Sequence, residues 1–305
     1  MKPELPPAVF AAPPSSWHVW WTATRPRTLS IAATPVMVGT ALALADGATP
    51  AWLAMIAALL CALLIQVGTN LHNDAADFER GTDRPDRIGP LRVTAAGWAS
   101  PAAVRRAAVL SFGLALVTGI YLVSVGGWPI LLAGIASLLA GWSYSGGKYP
   151  VSHTPLGEVF VLVFFGLIAV AGSHWLQMGA WSTNAWLAGL VVGTPAAAVL
   201  LVNNYRDLEQ DQRAGRRTLA VLLGRTRARR VYFSLMLLPF PIMLGLASRG
   251  QTGTLLGLVA LPLCLILCRR LTHTPPGPEL NPLLADTARA GFITAMLMAV
   301  GILVF

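Results

Sequence analysis

From residue 28 to the end, the chain alternates long apolar runs with short polar segments. Residues 107–147 and 159–205 contain no Asp, Glu, Lys or Arg. Each run is too long for one membrane crossing, which takes roughly 20 residues. Each also has one natural break: Gly126-Gly127-Trp128-Pro129 in the first and the polar residues 177–184 in the second. Glycine accepts backbone conformations that a helix does not, and proline lacks the N–H that a helix interior needs. With residues 28–45, 52–72, 231–248, 252–268 and 288–305, the pattern predicts nine spans. Ser100-Pro101 reads as an N-cap with proline at the first helical position, opening the third span.

Two polar segments at the ends of apolar runs carry most of the acids. Of 13 acidic residues, eight (Asp74, Asp77, Glu79, Asp83, Asp86, Asp207, Glu209 and Asp211) fall in residues 70–87 and 203–218. Asn70, Asn73, Asp74 and Asp77 are spaced i, i+3, i+4 and i+7, which predicts one stripe of a helix. Asn203, Asp207 and Asp211 are spaced i, i+4 and i+8, which predicts a second stripe. Four spans separate the two segments, so both return to the same side of the membrane. That arrangement fits a duplicated four-helix unit facing itself across a cavity.

Composition agrees with this reading. The chain is 55% hydrophobic and 11% charged, where soluble domains carry about 25% charged residues. The expected fold is therefore an all-α polytopic membrane protein of about nine helices around a central cavity. The net charge of +9 would suggest nucleic acid in a soluble chain, but its placement assigns it to orientation. With the N-terminus inside, all of the 22 Lys and Arg residues except Arg249 lie on one side. The chain is thus expected in the cytoplasmic (inner) membrane, multi-pass, in contact with lipid, with both acidic segments facing the cytoplasm and no nucleic-acid partner. Residues 1–24 are proline-rich and lack the apolar core of an export signal. They read as a flexible leader with an interfacial tryptophan segment, followed by one membrane domain at residues 25–305. Cys61, Cys264 and Cys268 lie in apolar runs without metal-site spacing, so neither disulfides nor zinc are expected.

Carboxylates flanked by asparagine amides are hard oxygen donors suited to Mg²⁺, which commonly shares phosphate oxygens. Arginines beside the acids, and Lys148 in a glycine-rich turn, suit a phosphate. Lys148 is the single lysine beyond Lys2. Arg25 and Arg27 read either as phosphate contacts or as positive-inside anchors, and Lys148 has the same two readings. Glu158 and His174 read as proton-transfer groups or as satisfied core residues. A diphosphate clamped by Mg²⁺ is a good leaving group, because its developing charge is already compensated. The competing class is a transporter, which calls for acids near the bilayer midplane rather than at helix ends.

Asn73-Asp74-x-x-Asp77 with Asp83, and Asp207-x-x-x-Asp211, resemble the two aspartate-rich motifs of the UbiA superfamily of intramembrane aromatic prenyltransferases. Tyr144-Ser145-x-x-Lys148 resembles its intervening lysine motif. Several further segments resemble the branch that prenylates 1,4-dihydroxy-2-naphthoate: Arg25-Pro26-Arg27-Thr28-Leu29, residues 81–92, Gly157-Glu158-Val159-Phe160, Asn203-Asn204-Tyr205-Arg206-Asp207 and residues 215–219. The resemblance implies an enzyme that moves a polyprenyl group from its diphosphate to that acid, or to 4-hydroxybenzoate or another aromatic acceptor. It implies Asp74, Asp77, Asp207 and Asp211 as Mg²⁺ ligands, with Asp83 added and Asn70 and Asn73 in support. It implies Lys148, Arg206, Arg213 and Arg25 as phosphate contacts.

Overall fold

The computed structural model describes residues 14–82 and 88–305, and no strand occurs among them. Eight helical stretches are long and apolar enough to cross a bilayer. One of them, Pro101–Ser145, has 45 residues, or about 68 Å if straight, against a hydrocarbon core of about 30 Å. Gly127 breaks it at φ 68° and ψ −154°, and Pro129 follows. It therefore makes two crossings, and eight stretches become nine crossings among the described residues. Ser100 caps its start, accepting from the Ala103 N–H at 3.2 Å.

In chain order the elements are α1 (Ser16–Thr24), α2 (Leu29–Ala45), α3 (Trp52–Glu79), α4 (Pro101–Ser145) and α5 (Gly157–Leu162). A π-helical turn (Val163–Ile168) joins α5 to α6 (Ala169–Met178). There follow α7 (Thr183–Arg206), α8 (Leu208–Arg213), α9 (Leu219–Leu237) and α10 (Pro239–Ser248). A 3₁₀ segment (Thr252–Ala260) leads into α11 (Leu261–His273) and α12 (Leu280–Val304).

The most enclosed span is α7, and its small residues explain why. A Cβ on Gly166 would lie 2.5 Å from the Gly189 carbonyl oxygen, and one on Gly193 would lie 2.8 Å from that of Leu162. Glycine is needed at these positions for the backbones to approach, as in other membrane bundles. The large apolar side chains of α4, such as Val117, Trp128 and Leu139, instead point outward as a lipid-facing surface.

The tryptophan segment forms α1, which buries Val19 and Ala23 against Leu71, Ala75, Val93 and Val104. Trp17 and Trp21 stack with centroids 5.9 Å apart and stay exposed. Residues 1–13 of the expected leader, and the expected ligand Asp83, lie outside the described residues. One expectation needs correction: the second acidic stripe is not one straight helix. It breaks at Asp207 (φ −91°, ψ 8°), and α8 starts anew. Arg206 grips the carboxylate of its own neighbour, Asp207. Adjacent residues on a straight helix do not face each other.

Candidate active site

The site forms at one end of the bundle, where the last turns of α3 and α7 meet the polar connections. Asp77, on α3, is buried. Its Oδ2 lies 2.8 Å from Arg92 Nη2 and its Oδ1 lies 3.2 Å from Arg216 Nη2. The same Arg216 guanidinium reaches Asp211 Oδ1 at 3.5 Å through Nη1. One cation thus bridges the two acidic segments that the sequence places four spans apart. Thr218 also donates to Asp211, at 3.5 Å. Burial pushes the Asp211 carboxyl up to about 6, against the pull of Arg216 and with repulsion from Asp207. A cation entering here takes the place of a proton below that pH.

The other expected ligands are engaged differently. The Asp74 carboxylate accepts the backbone N–H of Val93 at 3.1 Å and of Thr94 at 3.3 Å, together with the Thr94 hydroxyl. Arg92 Nη1 donates to the Asn73 carbonyl at 2.9 Å. These bonds fold residues 92–94 back over the end of α3. Asp207 is held by Arg206 at 2.6 and 2.7 Å. Arg206 itself is fully buried and also donates to Asn203 and Asn281. Expected as a phosphate contact, it spends its donors inside the protein. Asn70 donates to the Thr24 carbonyl at 3.0 Å and to Thr28 Oγ1 at 3.2 Å. That ties α3 to the corner where Arg25 adopts a left-handed backbone (φ 53°), the one non-glycine described residue to do so. Arg25, Asp77, Glu158 and Arg216 all lie within electrostatic reach of Tyr144.

Lys148 is exposed, with its ammonium 5.5 Å from the Tyr149 ring centre, and Arg213 is exposed on α8 with Nε on the Glu209 carbonyl. Neither converges on the bridged carboxylates. His174 pairs with Asp46 at 2.9 Å at the opposite end of the bundle.

Sequence reasoning did not assign Arg92, Arg216, Thr218 or His153 to the site. The available signal was position: Arg216 lies just past Gly215, which turns the chain at φ 71° after Asp211. His153, in the connection between α4 and α5, accepts the Arg217 N–H on its carbonyl at 2.9 Å. Its Nε2 is buried without a partner. Burial, then Arg216, pushes its pKa down to about 4, so the ring is neutral at physiological pH.

The donor chemistry fits a hard divalent cation. Two carboxylates converge on one positive charge, and the buried Asn73 Oδ1 has no partner. Among the described residues no three His, Cys, Asp or Glu side chains form a closed cage. Mg²⁺ commonly takes one or two carboxylates and leaves its other positions to water and substrate phosphate. Within the membrane-spanning part, a narrow crevice opens between α2, α7 and α12, lined by Ile31, Thr34, Pro195, Val199 and Phe292 among others.

A model of the UbiA prenyltransferase family matches residues 32–285. The chain belongs to the UbiA prenyltransferase family. Curated relatives of this family member include 1,4-dihydroxy-2-naphthoate octaprenyltransferase of Escherichia coli (strain K12), 34% identical over 94% of this chain and 96% of the relative. The protein of the same name from Mycobacterium tuberculosis is 35% identical over 93% of this chain and 97% of the relative. A UbiA homologue from Archaeoglobus fulgidus, solved with DMAPP and Mg²⁺, shares the fold at a TM-score of 0.65. It is 17% identical, and the match covers 93% of this chain and 98% of that one.

Proposed function

We propose that this UbiA family member is a Mg²⁺-dependent aromatic prenyltransferase. It joins a polyprenyl group from its diphosphate to 1,4-dihydroxy-2-naphthoate, releasing diphosphate and CO2 and leaving demethylmenaquinol. The observation that carries the reading is the bridging of Asp77 and Asp211 by Arg216 at the mouth of an apolar bundle. The naphthoate-prenylating relatives, similar over nearly their whole length, support the acceptor. The Archaeoglobus structure supports the diphosphate and the metal.

In this reading Asp77 and Asp211, supported by Asn73, would hold Mg²⁺ together with the diphosphate, and the ion would supply charge neutralisation for the leaving group. Arg216 exchanges its carboxylate partners for phosphate oxygens, and Arg25 approaches the same group. Asp74 holds residues 92–94 closed over the site, and Asp207 with Arg206 fixes the end of α7. The lipid tail lies among the apolar side chains of the membrane-spanning helices, which keep water from the allylic cation.

The acceptor is tested by giving purified protein Mg²⁺, a polyprenyl diphosphate and each aromatic acid in turn, and recording product mass and CO2. Demethylmenaquinol with stoichiometric CO2 is expected from dihydroxynaphthoate. Turnover of 4-hydroxybenzoate alone, with its carboxylate kept, would overturn the acceptor and leave the family assignment standing.

The charge asymmetry supports a cytoplasmic N-terminus and a site open to the cytoplasm. In a chain lacking Cys61, Cys264 and Cys268, a cysteine placed at Thr82 is expected to resist an impermeant thiol reagent in intact cells and to react in inverted vesicles. Labelling in intact cells would reverse the orientation.

A further inference from the structure

Glu158 differs from the described acids of both acidic segments. Asp77 is gripped by Arg92 and Arg216, Asp207 by Arg206, Glu209 by Arg225 at 2.6 Å, and Glu79 by Arg105. Asp211 is gripped by Arg216 and Thr218, and Asp74 by backbone N–H groups. Glu158 is 4% exposed, and no basic side chain among the described residues pairs with it. Its Oε1 accepts from the neutral amide of Asn204 at 2.9 Å, and its Oε2 is buried without a partner.

A buried carboxylate without a compensating charge is costly, so one oxygen left open calls for a group delivered from outside the protein. Asn204 fixes the orientation of the carboxyl without neutralising it. The seat is rigid: α5 and the following π turn lie against α7 through Gly166, Gly189 and Gly193. Glu158 also has neighbours from the site. Asp211 is within its electrostatic reach, and Tyr144 is within reach of both Glu158 and Asp77. Asn204 lies in the last turn of α7, so its bond to Glu158 holds the open oxygen at the end of the bundle where the bridged carboxylates lie.

Resting on the aromatic-acceptor reading above, we propose that Glu158 is a catalytic base that takes, and later returns, the proton of the acceptor's ring hydroxyl. As the allylic C–O bond breaks, the new C–C bond forms at the ring carbon bearing the carboxylate. The adjacent hydroxyl becomes a carbonyl and its proton passes to Oε2 of Glu158. The resulting β-keto carboxylate loses CO2, and the electron pair left behind gives the ring enolate. The enolate oxygen recovers the proton from Glu158, restoring the aromatic ring. Diphosphate leaves with the negative charge that the carboxylate brought, and Glu158 ends as it began.

Glu158→Gln preserves shape and can still accept from Asn204 through its amide oxygen, but it cannot take a proton. Loss of a general base costs about 10²-fold or more. The full-length enzyme in detergent, assayed anaerobically with Mg²⁺, polyprenyl diphosphate and dihydroxynaphthoate, is therefore expected to lose about 10²-fold in kcat at pH 7. KM for both substrates and the thermal midpoint should stay near wild type. The loss should shrink as the pH is raised and the acceptor hydroxyl ionises without help, a recovery that a merely structural role would not produce. Near-normal turnover of Glu158→Gln at pH 7, or a loss that is the same at every pH, would overturn the role of Glu158 while the acceptor reading stands. Wild-type enzyme that transfers to no aromatic acid would overturn both.

Discussion

Asp77→Asn and Asp211→Asn are each expected to cut prenyl-transfer turnover by about 10²–10³-fold, the loss typical when one preorganised charge-stabilising group is removed. The two carboxylates come from helices separated by four crossings, yet they share the guanidinium of Arg216 at 3.2 and 3.5 Å. Converting one to an amide keeps an oxygen acceptor but removes a formal charge from the donor set. The remaining carboxylate is then a poor partner for a divalent cation whose other ligands are water and phosphate. The effect should fall mainly on kcat, because the lost interaction matters most as charge develops on the leaving diphosphate. It should also raise the Mg²⁺ concentration needed for half-maximal rate. The thermal midpoint of Asp211→Asn should stay close to wild type, while that of Asp77→Asn should fall, because Arg92 and Arg216 use both oxygens of that buried carboxylate and an amide keeps only one. Near-normal turnover in either variant, or turnover that survives full chelation of divalent metal, would remove Asp77 and Asp211 from the metal site.

Much of this was legible in the chain, for local reasons. Apolar run lengths set the number of crossings, and the break at Gly127 was readable because glycine and proline act where they stand. The spacing of Asp77 and Asp211 placed both acids at helix ends on one side, and the fold brings both to Arg216. The partners of the acids were less readable. Asp74 is satisfied by the N–H groups of Val93 and Thr94, and backbone donors carry no residue signature. Which arginine meets which acid depends on the path of the connections: residues 92–94 fold back over α3, and Gly215 turns the chain so that Arg216 faces inward. Lys148 and Arg213 had the right charge in the right segments, yet their turns leave them exposed. Arg206 misled for the opposite reason. It lies in an acidic motif, as a phosphate contact would, but it points into the protein.

Arg206→Ala is accordingly expected to damage the fold before it damages catalysis. The guanidinium is fully buried and bonds Asp207 at 2.6 and 2.7 Å, Asn281 at 2.7 Å and Asn203 at 2.9 Å. Asn281 in turn donates to the Ile88 carbonyl at 3.2 Å. One side chain therefore joins the end of α7, the start of α12 and the segment that follows the first acidic cluster. Removing it leaves Asp207 without its cation and two amide oxygens without donors. Breaking a buried pair in this way costs about 3–5 kcal/mol, or a thermal midpoint lower by on the order of 5–15 °C. Much of that cost belongs to the stranded charge, so Asp207→Asn added to Arg206→Ala should recover part of the stability. Arg206→Lys should also be destabilised, because an ammonium cannot reproduce the two parallel bonds to Asp207. A diphosphate contact would behave differently: Arg206→Lys would raise KM for the prenyl diphosphate at an unchanged midpoint, and the added Asp207→Asn would rescue nothing. Thermal unfolding in detergent, run beside steady-state kinetics on the same three variants, separates the two roles.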